Sequence, residues 1–143
     1  MANPDFTVTV RAFRSADREQ VERLWDLVFP DDPPSNAPAV LVDTKLKVQP
    51  ELFLVAVADR AIVGAVMAGF DGVRGWIHHL AVSPDRRRRG IATAPVRAAE
   101  SRLGRLGCPK VNLQIRSTNS DVVAFYRRLG YGVEDRVSMG RRL

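Results

Sequence analysis

The chain has 143 residues, 45% of them hydrophobic and 27% charged, which fits one globular domain over 1–143 and excludes a disordered tail. The longest uncharged apolar run, Ala61 to Phe70, is too short for a membrane helix, and the N-terminus MANPDFTVTV has no basic-then-apolar export signal. The net charge is +6, but Arg86, Arg87, Arg88 and Arg89 alone supply four charges, so the basic bias is local.

In chain order, TVTVRAF (Thr7 to Phe13) alternates and is β-branched, which predicts a strand. Ser15 is the expected cap of a helix through ADREQVERLWDLVF, where Val21, Leu24, Trp25 and Val28 make one apolar face. Prolines between Pro30 and Pro38 impose an irregular loop, and a short helix is expected around Ala39 to Val48. ELFLVAVADRAIVGAVMAGFDG reads as a hairpin turning at Asp59-Arg60, its second arm ending in the Asp71-Gly72 turn. GWIHHLAV, Gly75 to Val82, is a further strand. These strands are apolar on both faces, so helices should cover the sheet on both sides.

A helix is expected from Gly90 to Leu106, stopped by Gly107, with Ala92, Val96, Ala99, Leu103 and Leu106 on one face. KVNLQIR alternates as a strand, NSDVVAFYRRLG is a helix capped by Asn119 and stopped by Gly130, and YGVEDRVSMG is a last strand. The expected architecture is α/β: a mixed, mostly antiparallel sheet of about six strands flanked by helices. Its strand–helix–strand unit requires one parallel pairing.

One cysteine, Cys108, rules out an intramolecular disulfide and suits a reducing compartment, so a cytoplasmic location is expected. Cys108 sits in the helix-ending turn LGCPK, which favours a structural role over a catalytic thiol. One Cys and two adjacent His do not supply zinc-ligand spacing, so no metal is expected.

SPDRRRRGIATAP lies between a strand ending at Val82 and a helix opening near Gly90. That arrangement puts unpaired N–H groups and the positive helix end at one place, an anion site. Gly90 and Ala92 let an anion approach the backbone, and Thr93 adds a hydroxyl. Clustered arginines suit a multivalent phosphate ligand. No aromatic residues interleave with them, which argues against a nucleic-acid platform. The dinucleotide pattern G-x-G-x-x-G is absent.

LAVSPDRRRRGIA resembles the Q/R-x-x-G-x-G/A signature of the GNAT-type N-acetyltransferases, with Arg87, Gly90 and Ala92 at the defining positions. NSDVVAFYRRLGY, in which Asn119 precedes Tyr126 by seven residues, resembles that family's second motif. GFDGVRG, LGCPK and GRRL are similar to segments of its small bacterial YpeA-like members. The resemblance implies the acyl-CoA N-acyltransferase fold, acetyl-CoA as cosubstrate and direct attack by an amine acceptor on the thioester. It places the pyrophosphate on the amides of Arg87, Arg88, Arg89, Gly90, Ile91 and Ala92, with Thr93 beside them, and gives Asn119 a cofactor contact. The pantetheine arm would pair with Leu80, Ala81 and Val82, where a bulge splays the strand from Val111 to Arg116. Tyr126 would be the general acid. Where some relatives carry a glutamate base this chain has Gln114, so His78, on Leu80's side of its strand, is the candidate base, with water-relayed proton loss as its rival. His79 is expected on the opposite face as a packed, hydrogen-bonded residue. Pro95 departs from the family's usual leucine and would cost up to ~3 kcal/mol if it fell mid-helix. Small members of the family often pair, which allows a homodimer. The acceptor is expected between the Pro30–Pro38 loop, the Phe70–Arg74 hairpin and the C-terminal strand. A non-catalytic acyl-CoA-binding module on the same fold is the alternative reading.

Overall fold

The computed structural model describes residues 7–86 and 90–143, so Arg87, Arg88 and Arg89 lie outside the described residues. The chain divides into two compact units, Met1–Leu113 and Gln114–Leu143.

The first unit is built on one sheet. Its strands are Thr9–Ala12 (β1), Phe53–Ala58 (β2), Ala61–Phe70 (β3), Gly75–Val82 (β4) and Val111–Leu113 (β5), in that spatial order. β1 to β4 pair antiparallel, and β5 pairs parallel with β4. The β2–β3 hairpin closes at Asp59-Arg60 as expected. Both residues are left-handed (φ +50° and +63°), the two-residue geometry whose twist matches the strands it joins. The β3–β4 turn is closed by Asp71, whose Oδ1 accepts from the N–H groups of Val73 and Arg74, each at 2.8 Å.

Helices α1 (Arg18–Val28) and α2 (Pro38–Lys45) cover one face. There Val21, Leu24, Trp25 and Val42 pack on Phe53, Val55, Ala65, Met67 and Ala81. Phe13, Phe53 and Trp25 stack in series, with centroid spacings of 4.4 and 5.5 Å. Full burial of side chains this size is worth about 2–3 kcal/mol each. Helix α3 (Thr93–Arg105) buries Val96, Ala99 and Leu103, and Ala56, Ala58, Val63, Val82 and Ile91 form a second cluster. Apolar strands on both faces therefore do carry helices on both.

The start of α1 differs from expectation. Ser15 opens a single 3₁₀ turn, Ser15–Asp17, and makes no side-chain cap. Asp17 does the anchoring: Oδ2 accepts from the Arg14 N–H at 2.8 Å, and its two oxygens accept from the Arg11 guanidinium at 2.7 and 2.9 Å. That pairing holds the buried carboxyl below its ordinary range. The start of α3 differs too. Gly90 sits at φ +73°, so the helix begins at Thr93 and Pro95 is its third residue. An N–H there has no intrahelical acceptor, so the proline removes no helix bond. At the far end, Gly107 (φ +86°) stops α3, with the Cys108 N–H donating to the Leu103 carbonyl at 3.1 Å.

The second unit contains α4 (Ser120–Arg128), and the Asn119 side chain accepts from the Val122 N–H as its cap, at 3.4 Å. Gly130 (φ +99°) ends it, the Tyr131 N–H donating to the Tyr126 carbonyl. The sixth expected strand is absent: 131–143 carries no regular structure, and KVNLQIR is strand only over Val111–Leu113. Alternating apolar residues make a strand only where a ladder partner and a covering layer exist. Here Val133, Val137 and Met139 stand exposed instead.

Candidate active site

The site begins at an irregularity in β4. Its register with β3 runs Met67↔His78 and then Ala65↔Ala81, so β4 holds one residue more than its partner. The extra residue is accommodated at His79, which has a left-handed backbone (φ +52°) although it is not glycine. On the other edge of β4, the parallel ladder with β5 runs Gly75↔Val111, Trp76↔Asn112, Ile77↔Leu113 and ends there. Leu80, Ala81 and Val82 lie beyond its end.

Several contacts hold His79 in this conformation. Its ring meets Trp25 and Phe29 edge-on, at 5.8 and 5.0 Å between centroids. Its Nε2 lies 2.9 Å from Asp32 Oδ2, and its carbonyl accepts from Trp25 Nε1 at 3.2 Å. His79 is packed and hydrogen-bonded, as expected, but on the α1 side. Regular alternation would have sent it to the opposite face; the bulge brings both histidines to the side covered by α1 and α2.

His78 lines a cavity of about 270 Å³ on that side, together with Lys45, Val48, Gln49, Met67, Ala68, Gly69, Phe70, Asp71 and Trp76. Its ring stacks with Trp76 at 6.4 Å and stays open to solvent. Partial desolvation, then the charges of His79 and Lys45, push the imidazole below its ordinary value. A neutral imidazole at pH 7 has a lone pair to accept a proton. Across the cavity the last turn of α2 and the residues after it grip the end of β3, which overhangs β2. Gln49 accepts from the Phe70 N–H at 2.9 Å and donates to the Phe70 carbonyl at 3.1 Å. Lys45 Nζ donates to the Ala68 carbonyl at 2.6 Å, and desolvation lowers its pKa. The Phe70–Asp71 end of the hairpin lines this cavity together with the end of α2 and the residues after it.

Beyond Val82 comes a 3₁₀ turn, Pro84–Arg86, and then the start of α3, which has no side-chain cap. Gly90 is exposed and Ile91 is buried as an anchor. Ala92 and Thr93 are half-buried at the helix end, where orphan N–H groups and the helix dipole meet. Arg86 pairs with Asp59 of the β2–β3 turn at 3.1 Å. In the second unit Tyr126 is buried, edge-on to Phe125 and Tyr131. Burial pushes its phenol well above the ordinary tyrosine value, so it remains protonated at neutral pH. Gln114 donates to Ser138 Oγ at 2.7 Å.

The sequence pattern described as "Acetyltransferase (GNAT) family" matches residues 18–131, most of the chain. The chain belongs to the GNAT acetyltransferase family. An acetyltransferase of Yersinia enterocolitica is 42% identical over 137 residues, covering 94% of each chain. Among solved structures, an aminoglycoside N-acetyltransferase in complex with CoA is similar with a TM-score of 0.80 at 18% identity, covering 99% of each chain. Ard1 from Thermoplasma volcanium is similar with a TM-score of 0.79 at 24% identity, over 89% of this chain and 84% of that one. This GNAT protein is an enzyme that moves an acetyl group to an amine. No helix among the described residues is long and apolar enough to cross a membrane.

Three features of this GNAT site escape a linear reading. Asp32 is one of two aspartates in a proline-rich loop, and only folding brings it to His79, 47 residues away. Lys45 lies in a short helix whose apolar residues show little periodicity. Gly69 pairs with Trp76 and keeps the cavity floor open. The apolar AIVGAVMAGF run gives no sign of that role.

Proposed function

We propose that this single-domain acetyltransferase takes acetyl-CoA as cosubstrate along β4 and acetylates a primary amine held in the cavity between α2 and the β3–β4 strands. The observation that carries the reading is the parting of β4 from β5 after Ile77↔Leu113, two residues before the left-handed His79. Past that point Leu80, Ala81 and Val82 offer strand edge to the pantetheine arm. The stretch Arg87, Arg88, Arg89, Gly90, Ile91, Ala92 and Thr93 takes the pyrophosphate on amides and guanidinium groups, with Asn119 as a further cofactor contact. The amine nitrogen attacks the thioester carbon and a C–N bond forms. Its surplus proton passes to the neutral imidazole of His78, and the C–S bond breaks. The departing thiolate takes the Tyr126 phenolic proton, which solvent restores. We place the enzyme in the cytoplasm, among the YpeA-like members of the family, without nucleic acid or membrane as partner.

The test is turnover with acetyl-CoA against a panel of small primary amines, read as release of the CoA thiol. Tyr126→Phe is expected to lower kcat by about 10²–10⁴-fold with acetyl-CoA affinity retained, the range for loss of a general acid. An unchanged kcat removes Tyr126 from the mechanism, and absence of acetyl-CoA binding by calorimetry overturns the site as a whole.

A further inference from the structure

Resting on the reading of the cavity as the acceptor site, the chemistry of its walls narrows the acceptor. Most of the lining is apolar surface from Val48, Met67, Ala68, Phe70 and Trp76. Its two formal charges differ in what they have left to offer. Asp71 is exposed and spends most of its acceptor capacity on its own hairpin: Oδ1 accepts from the Val73 and Arg74 N–H groups, and Oδ2 faces Trp76 Nε1 at 3.4 Å. Lys45 is half-buried and makes one hydrogen bond among the described residues, to the Ala68 carbonyl. An ammonium has three donors, and Lys45 lines the cavity, so two further N–H groups are available to a ligand bound there. The carboxylate whose field it feels is that of Glu51, outside the lining, and its own charge is felt at His78. Gly69 lines the cavity beside it: a Cβ there would lie 3.9 Å from Nζ, in ordinary contact.

We propose that Lys45 is a specificity-determining residue and that the acceptor is a small amine bearing a carboxylate and an apolar body, of the amino-acid type. The carboxylate takes the two remaining Lys45 donors, a charge-assisted contact strengthened by the low-dielectric wall. The apolar body lies against Met67, Phe70 and Trp76, leaving the amino group to the His78 wall. A second cationic centre on the acceptor would instead meet the Lys45 charge, which sets polyamines and aminoglycosides at a disadvantage. A volume of about 270 Å³ suits one compact molecule.

The experiment compares acceptors matched in side chain, with and without the carboxylate: phenylalanine against phenethylamine, leucine against isopentylamine, with spermidine as the polycation, each rate expressed per neutral amine because an α-carboxylate also lowers the amine pKa. CoA release is measured for each. The carboxylate-bearing member of each pair is expected to have kcat/KM about tenfold or more above its partner, the scale of one buried charge-assisted contact. Lys45→Met keeps the stem and removes the charge; it should collapse that ratio toward one through KM, while Lys45→Arg preserves it. Melting temperatures of both variants report any loss from the Ala68 contact separately. Equal or faster turnover of phenethylamine, isopentylamine or spermidine by the unmodified enzyme overturns the proposal, as does a ratio unmoved by Lys45→Met. Gly69→Leu, which fills the cavity, tests the underlying reading. If it leaves kcat/KM unchanged for every amine accepted, the acceptor binds elsewhere. If no carboxylate-bearing amine is acetylated while acetyl-CoA still binds, the acceptor class is wrong and the cosubstrate site stands.

Discussion

His78 shows how one residue's chemistry depends on neighbours the chain supplies from afar. Its imidazole stands open in a cavity wall, yet surrounding protein and the charges of His79 and Lys45 hold it below its ordinary value. A depressed pKa means the base stays neutral through pH 7 and is lost only as pH falls below about 6.5. For an amine substrate, log kcat/KM falls with unit slope as the amine protonates. We expect the slope to steepen toward two below that point in the unmodified enzyme and to stay near one in His78→Gln. Parallel profiles would assign the proton to water instead. At the same scale, His79 has an imidazole like its neighbour's but is engaged by Asp32, Trp25 and Phe29, which gives it a positioning role at the bulge. The pattern HH alone assigns neither residue its part.

Among the elements, β4 carries the proposed site because it fits its two neighbours differently. Toward β3 it holds an extra residue, and toward β5 it is paired only at its start. That start is fixed by contact with α3. Gly75 has no side chain, and a Cβ there would lie 2.7 Å from Cys108 Sγ and 3.1 Å from Leu103 Cδ1. Cys108 also faces the Lys110 carbonyl at 3.3 Å, the structural part expected of it. Gly75→Ala should therefore destabilise the protein by about 1–3 kcal/mol through overpacking. Cys108→Ala in the same chain should recover much of that loss, with a coupling above about 0.5 kcal/mol in a double-mutant cycle of denaturation midpoints. Strictly additive effects would show that the sulfur is not the obstacle. Helix α3 illustrates a milder conflict: Pro95 is compatible with the helix because Gly90 delays its start to Thr93.

For the molecule as a whole, a cosubstrate held by the folded enzyme and not by the unfolded chain raises stability by mass action. At acetyl-CoA concentrations 100-fold over Kd the gain is about 2.7 kcal/mol, or about 5–10 °C in Tm for a chain of this size. A Tm indifferent to acetyl-CoA would contradict the proposed site. Much of the architecture could be read along the chain, because hairpin turns, helix stops and binary patterns are local. Asp59-Arg60, Asp71-Gly72, Gly107, Gly130 and the Asn119 cap all act within a few residues of where they stand. The strand ending at Val82 and the helix that follows were legible for the same reason, and with them the family. What linear pattern could not settle depends on partners: the YGVEDRVSMG segment alternates like a strand but has no ladder, and α1 is anchored by an Arg11–Asp17 pair rather than by Ser15. The sequence by itself determined the fold class and the chemistry of transfer, since both rest on short-range periodicity and contiguous motifs. Only the tertiary structure decided which histidine faces the cavity and which cation lines it. A one-residue bulge reverses side-chain facing without altering composition, and Lys45 reaches Ala68 and His78 through packing across three elements.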